Sequence, residues 1–115
     1  MKALNFYPTV YQAHLLASQK RCTIRLGDKR DKYREGDIVW VTYGSRFAPR
    51  QKLFAAVIDR VTVKRLDELT EEELRAEDPN LRSPQDLARF LERIYERPVD
   101  LAETVTAVFF SRIVE

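Results

Sequence analysis

Hydrophobic and polar positions alternate along this chain with two periods, and the switches between them lay out the elements. Ala3-Leu4-Asn5-Phe6 reads as a short strand, stopped by Pro8. Thr9 suits an N-cap, and Val10, Ala13, His14 and Ala17 then fall on one stripe, which predicts a helix over roughly 10–18. Period two returns in Cys22–Leu26. There Cys22, Ile24 and Leu26 share an apolar face, while Thr23 and Arg25 share the other. The run from Gly27 to Asp37 holds two glycines and dense charge, the pattern of a solvent loop. Ile38–Tyr43 is apolar on both faces, which predicts a central strand ended by Gly44. Leu53–Val63 is the longest strand pattern. Its first half is apolar throughout; its second half alternates, with Val61 and Val63 inward and Arg60, Thr62 and Lys64 outward.

The period then changes to that of helices. Thr70-Glu71-Glu72-Glu73 is a capping box, with Thr70 at the N-cap and Glu73 at N3, opening a short acidic helix to about Ala76 that Pro79 ends. Ser83-Pro84-Gln85-Asp86 repeats the start signal, and Leu87, Leu91, Ile94 and Tyr95 form the stripe of a helix running to about Tyr95. Thr104–Val114 is β-branched and aromatic, a closing strand. The order predicts an α+β fold: a small, mostly antiparallel sheet curled toward a β-barrel, with helices covering its ends. No repeat or linker interrupts it, and 115 residues suit a single domain over 1–115.

Composition narrows the class. At 44% hydrophobic residues a real core is available, and no apolar run approaches the length that crosses a bilayer. The start, Met1 to Pro8, lacks the long apolar region of a signal peptide. One cysteine rules out an internal disulfide, and one cysteine with one histidine argues against structural zinc. The expectation is a cytoplasmic protein with no metal, no cofactor and no membrane partner. Net charge is only +2, but its distribution is uneven. Residues 20–52 carry ten Lys/Arg against four Asp/Glu, and residues 66–103 carry five Arg against twelve acids. A basic surface would favour a phosphate-bearing partner such as RNA, unless the two segments fold together and neutralise each other.

Candidate chemistry gathers at Lys20-Arg21-Cys22-Thr23-Ile24-Arg25. An amine, a hydroxyl and a guanidinium so close together can bind an anion or begin an acyl-transfer site. The plainer alternative is an edge strand with solvated charges. His14, on the apolar stripe, suits packing better than base catalysis. Arg46 and Arg50 flank Phe47 in a loop, where they could stack on and clamp a nucleotide or simply form a hairpin tip.

Two stretches carry a resemblance. One is K-R-C-T-I-R followed by a charged loop and Gly36-Asp37. The other is L-T-E-E-E-L-R-A-E, Leu69 to Glu77, followed by a helix ending Arg93-Ile94-Tyr95 and a strand with Phe109-Phe110. Together they resemble the ASCH domain, a PUA-like relative of domains that bind RNA. The match is nearest to small bacterial proteins that act as N4-acetylcytidine amidohydrolases. This resemblance implies a modified nucleoside as substrate, hydrolysed to cytidine and acetate, with Lys20, Thr23 and Glu77 as catalytic residues. Arg21, Arg25, Arg46 and Arg50 would then hold substrate or RNA. The alternative it leaves is a non-enzymatic RNA-binding module, and oligomeric state stays open. The chain departs from the family at Arg21-Cys22, where Thr-Ile is common, and in longer loops at 27–35, 44–52 and 78–84. Cys22 is expected to pack rather than react.

The chemistry sets conditions. Thr23 would attack the acetyl carbonyl, and Lys20 could accept its proton only as a neutral amine, which needs a pKa depressed by burial or a nearby cation. An ionised Glu77 close by would push the other way. Glu77 could relay a proton or orient Lys20. A flat cytosine asks for an aromatic wall, for which Tyr7, Phe47 and Tyr95 are candidates, Tyr95 suiting helix-end packing better.

Overall fold

Each strand predicted from period two forms, and together they make one sheet. The computed structural model describes residues 1–6, 20–44 and 49–114. The expectations for Tyr7, the helix over 10–18 with His14, Arg46 and Phe47 lie outside the described residues. The strands are β1 (Ala3–Phe6), β2 (Cys22–Leu26), β3 (Ile38–Tyr43), β4 (Gln51–Arg65) and β5 (Thr104–Arg112), and their order across the sheet is β1-β3-β4-β5-β2. Three of the four pairings are antiparallel. The fourth, β1 with β3, is parallel, with Ala3 opposite Trp40 and Phe6 opposite Tyr43. The result is a curled, mixed half-barrel with two helices, a small α+β fold of PUA-like form.

β4 is what curls it. Its first part pairs with β3 and its second with β5, and the register shifts between Ile58 and Arg60. An extra residue in a strand bends it and sharpens its twist. The same bulge changes which residues face in: Phe54, Ala56 and Ile58 are inward before it, and Val61 packs against that inner cluster after it. Val61 therefore lies as expected. Arg60 is exposed as expected, with its guanidinium against Phe109 of β5, whereas Lys64, also expected to point to water, meets the helical layer. The Arg60 guanidinium lies 4.2 Å from the Phe109 ring centroid, and Lys64 Nζ donates to Glu73 Oε1 at 2.8 Å. β4 is also longer than its apolar core, β5 stops at Arg112, and Ile38 of the central strand is 52% exposed.

Two helices pack on the outer face of the β5–β2 side. Helix α1 (Glu71–Glu77) starts at Thr70, whose Oγ1 accepts from Glu73 N at 3.1 Å while Glu73 Oε1 accepts from Thr70 N at 2.8 Å. Helix α2 (Pro84–Tyr95) starts at Ser83, whose Oγ accepts from Asp86 N, and ends at Glu96 in the left-handed region, φ 56°. One core lies between these helices and the sheet: Cys22, Ile24 and Leu26 meet Leu74, Leu87 and Leu91. Each such aliphatic side chain contributes about 1.5–3 kcal/mol by leaving water. The other core fills the inside of the curl, around Leu4, Phe6, Val41 and Phe110. β1 and β2 are opposite edges of the sheet, yet Arg25 Nη2 on β2 donates to Asn5 O on β1 at 3.1 Å. The curl thus brings its two edges together, and one arginine bridges the seam.

Candidate active site

Lys20 and Arg21 reach their places because they close the end of α1. The last carbonyls of a helix have no partner within it. Here Ala76 O accepts from Arg21 N at 3.0 Å and Glu77 O accepts from Lys20 Nζ at 2.8 Å. On its other side Arg21 O accepts from Phe110 N at 3.0 Å, so this short stretch is stitched between helix and sheet. The Lys20 side chain is fully buried. Its Nζ also donates to Cys22 O at 2.9 Å and to Glu77 Oε1. Glu77 is equally buried, and its second oxygen, Oε2, accepts from Ile24 N at 2.6 Å. Both carboxylate oxygens are therefore engaged, one on the lysine and one on the backbone of β2.

Burial pushes the Lys20 amine below the ordinary lysine value of 10.5, although the Glu77 carboxylate beside it pulls the other way. The two influences weighed in the sequence are both present, and loss of water outweighs the neighbouring anion. Three acceptors around Nζ match the three hydrogens of an ammonium. A lone pair appears once one of those hydrogens moves, and Glu77 is the adjacent acceptor.

Thr23 and Arg25 occupy the inner face of β2, as alternation requires. Arg25 Nε donates to Thr23 Oγ1 at 3.0 Å. Thr23 is buried, and among the described residues its own hydroxyl hydrogen has no acceptor. The two halves of the site meet at Phe6. Lys20 Nζ lies 5.3 Å and Arg25 Cζ 5.4 Å from the centroid of that ring. Phe6 bears no reactive group, so nothing singled it out in the sequence. Its signal was positional: with Leu4 it forms the inward set of a strand whose end faces β2. Asn5, between them, holds the rim. Its side chain donates to Gly44 O at 3.2 Å and accepts from Thr42 Oγ1 at 2.8 Å.

The remaining candidates are placed as follows. Arg21 is exposed beside Lys20. Arg50 is exposed just before β4, its backbone against Gly44, whose amide donates to Phe6 O at 3.1 Å. It therefore stands on the same rim as β1, though no bond joins it to Thr23 or Lys20. Arg46 is outside the described residues. Tyr95, at the end of α2, is exposed, and its hydroxyl accepts from Leu26 N at 3.3 Å. Cys22 is buried in the helix-facing core, and burial pushes its thiol up, which suits packing and not nucleophilic attack.

No protein-family model and no curated protein sequence matches the chain. Solved structures do. An ASCH domain from Lactobacillus crispatus superposes with a TM-score of 0.67 at 15% identity, covering 96% of this chain and 78% of that one. The hypothetical protein PH0355 gives 0.65 at 18% identity over 98% of this chain and all of its own, 100%. A protein from Enterococcus faecalis gives 0.64 at 17% identity, covering 87% of this chain and 65% of the other. The chain therefore has the fold of an ASCH domain.

Proposed function

We propose that the seam between β1 and β2 is the active site of an amidohydrolase that removes the acetyl group from N4-acetylcytidine or a related acylated nucleoside. The reading rests most on one observation: a buried lysine with a depressed pKa, gripped by Glu77 from 57 residues away, sits against the same ring as the arginine that holds Thr23.

In this scheme Lys20, its amine pushed below the ordinary lysine value by burial, acts as the base in its neutral form. Thr23 Oγ1 bonds to the acetyl carbon while its proton moves to Lys20. Arg25, already donating to that oxygen, favours its developing charge and faces the oxyanion. Collapse breaks the bond between the acetyl carbon and N4. The proton held by Lys20 goes to the departing amino group, and cytidine leaves. Water then attacks the acetyl-threonine, giving its proton to Lys20. Acetate departs and the proton returns to Thr23. Glu77 acts here as acceptor and orienter of Lys20; with Oε2 tied to Ile24 N it does not reach out to substrate.

The test is acetate release from N4-acetylcytidine, with Thr23→Ala expected to abolish it. A wild-type protein inert toward a panel of acylated nucleosides overturns the reading in favour of an RNA-binding module. Salt separates the two further: binding through phosphates weakens steeply with ionic strength, whereas hydrolysis of a neutral nucleoside does not.

A further inference from the structure

Beyond the start of β2, β5 runs on past its partner, and a cleft of about 350 Å³ opens there. Phe54, Phe109, Phe110 and Lys20 are among the residues that line it. Two exposed arginines flank it, Arg21 and Arg112. Among the described residues neither guanidinium has a carboxylate partner, in contrast to Arg60, Arg65, Arg75 and Arg97. Arg112 lies against the Phe54 ring, its Cζ 5.0 Å from the centroid, a contact that a planar guanidinium favours. The Arg21 backbone is pinned at both its amide and its carbonyl, which fixes where that side chain starts. On the remaining side Asp59, at the β4 bulge, accepts from the Ser111 hydroxyl.

We infer that this cleft binds a ribonucleoside phosphate, with Arg21 and Arg112 on the phosphate and Asp59 with Ser111 on the sugar hydroxyls. The inference rests on the amidohydrolase reading and sharpens it: the substrate is a phosphorylated nucleotide or an RNA terminus, not the bare nucleoside. Two open guanidiniums match the oxygens of a phosphate in forked geometry. A lone carboxylate would repel phosphate, but as an acceptor it suits ribose. The volume is at the lower end of the range for small-molecule sites, about 300–1,000 Å³, enough for one nucleotide and too small for a duplex. Lys20 belongs both to this cleft and to the buried pair with Glu77, which joins the cleft to the proposed site.

The experiment is a calorimetric binding measurement without hydrolysis, using cytidine, cytidine 5′-monophosphate, its 2′-deoxy form, inorganic phosphate and a short oligocytidylate. The monophosphate is expected to bind at least about tenfold more tightly than cytidine, and Arg112→Ala or Arg21→Ala to remove that advantage, the effect of one charge-assisted hydrogen bond. Arg112→Lys, which keeps the charge but not the fork, recovers part of it. The deoxy form and inorganic phosphate bind more weakly, and the oligocytidylate arm shows whether a strand end is held as well as the mononucleotide. Arg21→Ala leaves the backbone bonds of Arg21 intact, so loss of binding there is not loss of fold. Equal affinity for cytidine and its monophosphate, or a phosphate advantage that survives both alanine variants, overturns the inference. A protein that hydrolyses N4-acetylcytidine yet shows that equality refutes only the cleft. One that binds the monophosphate but hydrolyses nothing refutes only the enzyme.

Discussion

Glu73 and Glu77 stand one turn apart on α1, and each holds a lysine brought in from the sheet side. Lys64 comes from β4 and Lys20 from the approach to β2. The glutamates are buried alike, with side chains 4% and 3% exposed, but the lysines are not: 22% of Lys64 is exposed and none of Lys20. Water on the lysine decides what each pair does. For Glu73, burial opposes ionisation, yet the bonds from Lys64 and Thr70 prevail and hold the carboxyl below the ordinary 4.5. That pair is a charged strut that also closes the capping box. In the dry pair the lysine gives way instead, its pKa falling despite the carboxylate. Loss of water there weakens the lysine's hold on its proton.

Breaking the pairs one at a time tests this contrast. Lys20→Met strands a buried carboxylate and is expected to destabilise the protein by about 3–5 kcal/mol in chemical denaturation, while Lys20→Met with Glu77→Leu recovers most of the loss. Additive losses in that double variant would mean that the two groups do not depend on each other. Glu73→Gln keeps the shape of the cap but loses its charge, and about 1 kcal/mol is expected. Because Glu73 has a depressed folded pKa, the stability it adds is present above about pH 4.5 and is lost as pH falls through that lower value. Acid melts of Glu73→Gln should show less of this decline than wild type. Lys64→Met removes a partly hydrated partner and should cost least, about 0–1 kcal/mol.

The local half of this structure was readable in the chain. Thr70 with Glu73, and Ser83 with Asp86, announce helix starts through contacts three residues apart, and the bonds form as the pattern predicts. Cys22, Ile24 and Leu26 face the helices because alternation leaves no other choice. What could not be read depends on closure. The Arg25 bond to Asn5 and the shared Phe6 ring exist only once the β4 bulge curls the sheet, and a one-residue bulge leaves little trace in hydropathy. The parallel pairing of β1 with β3 is likewise invisible to a period-two pattern, which marks faces and not neighbours. The union of Lys20 with Glu77 came from family resemblance, since no local rule joins residues 57 apart. Lys64 looked solvated because charge is the only local signal; its partner lies on another element.

The dry lysine also predicts a pH signature. Its folded pKa lies below the unfolded value near 10.5, so between the two the unfolded chain binds more protons and stability rises with pH. Over the same interval the neutral amine accumulates. The most direct measurement is therefore the rate of acetate release from N4-acetylcytidine as a function of pH. A rate that climbs along a limb below the ordinary lysine range, and vanishes in Thr23→Ala, is the predicted result. A limb at the ordinary lysine value, or activity that persists without the Thr23 hydroxyl, would contradict it.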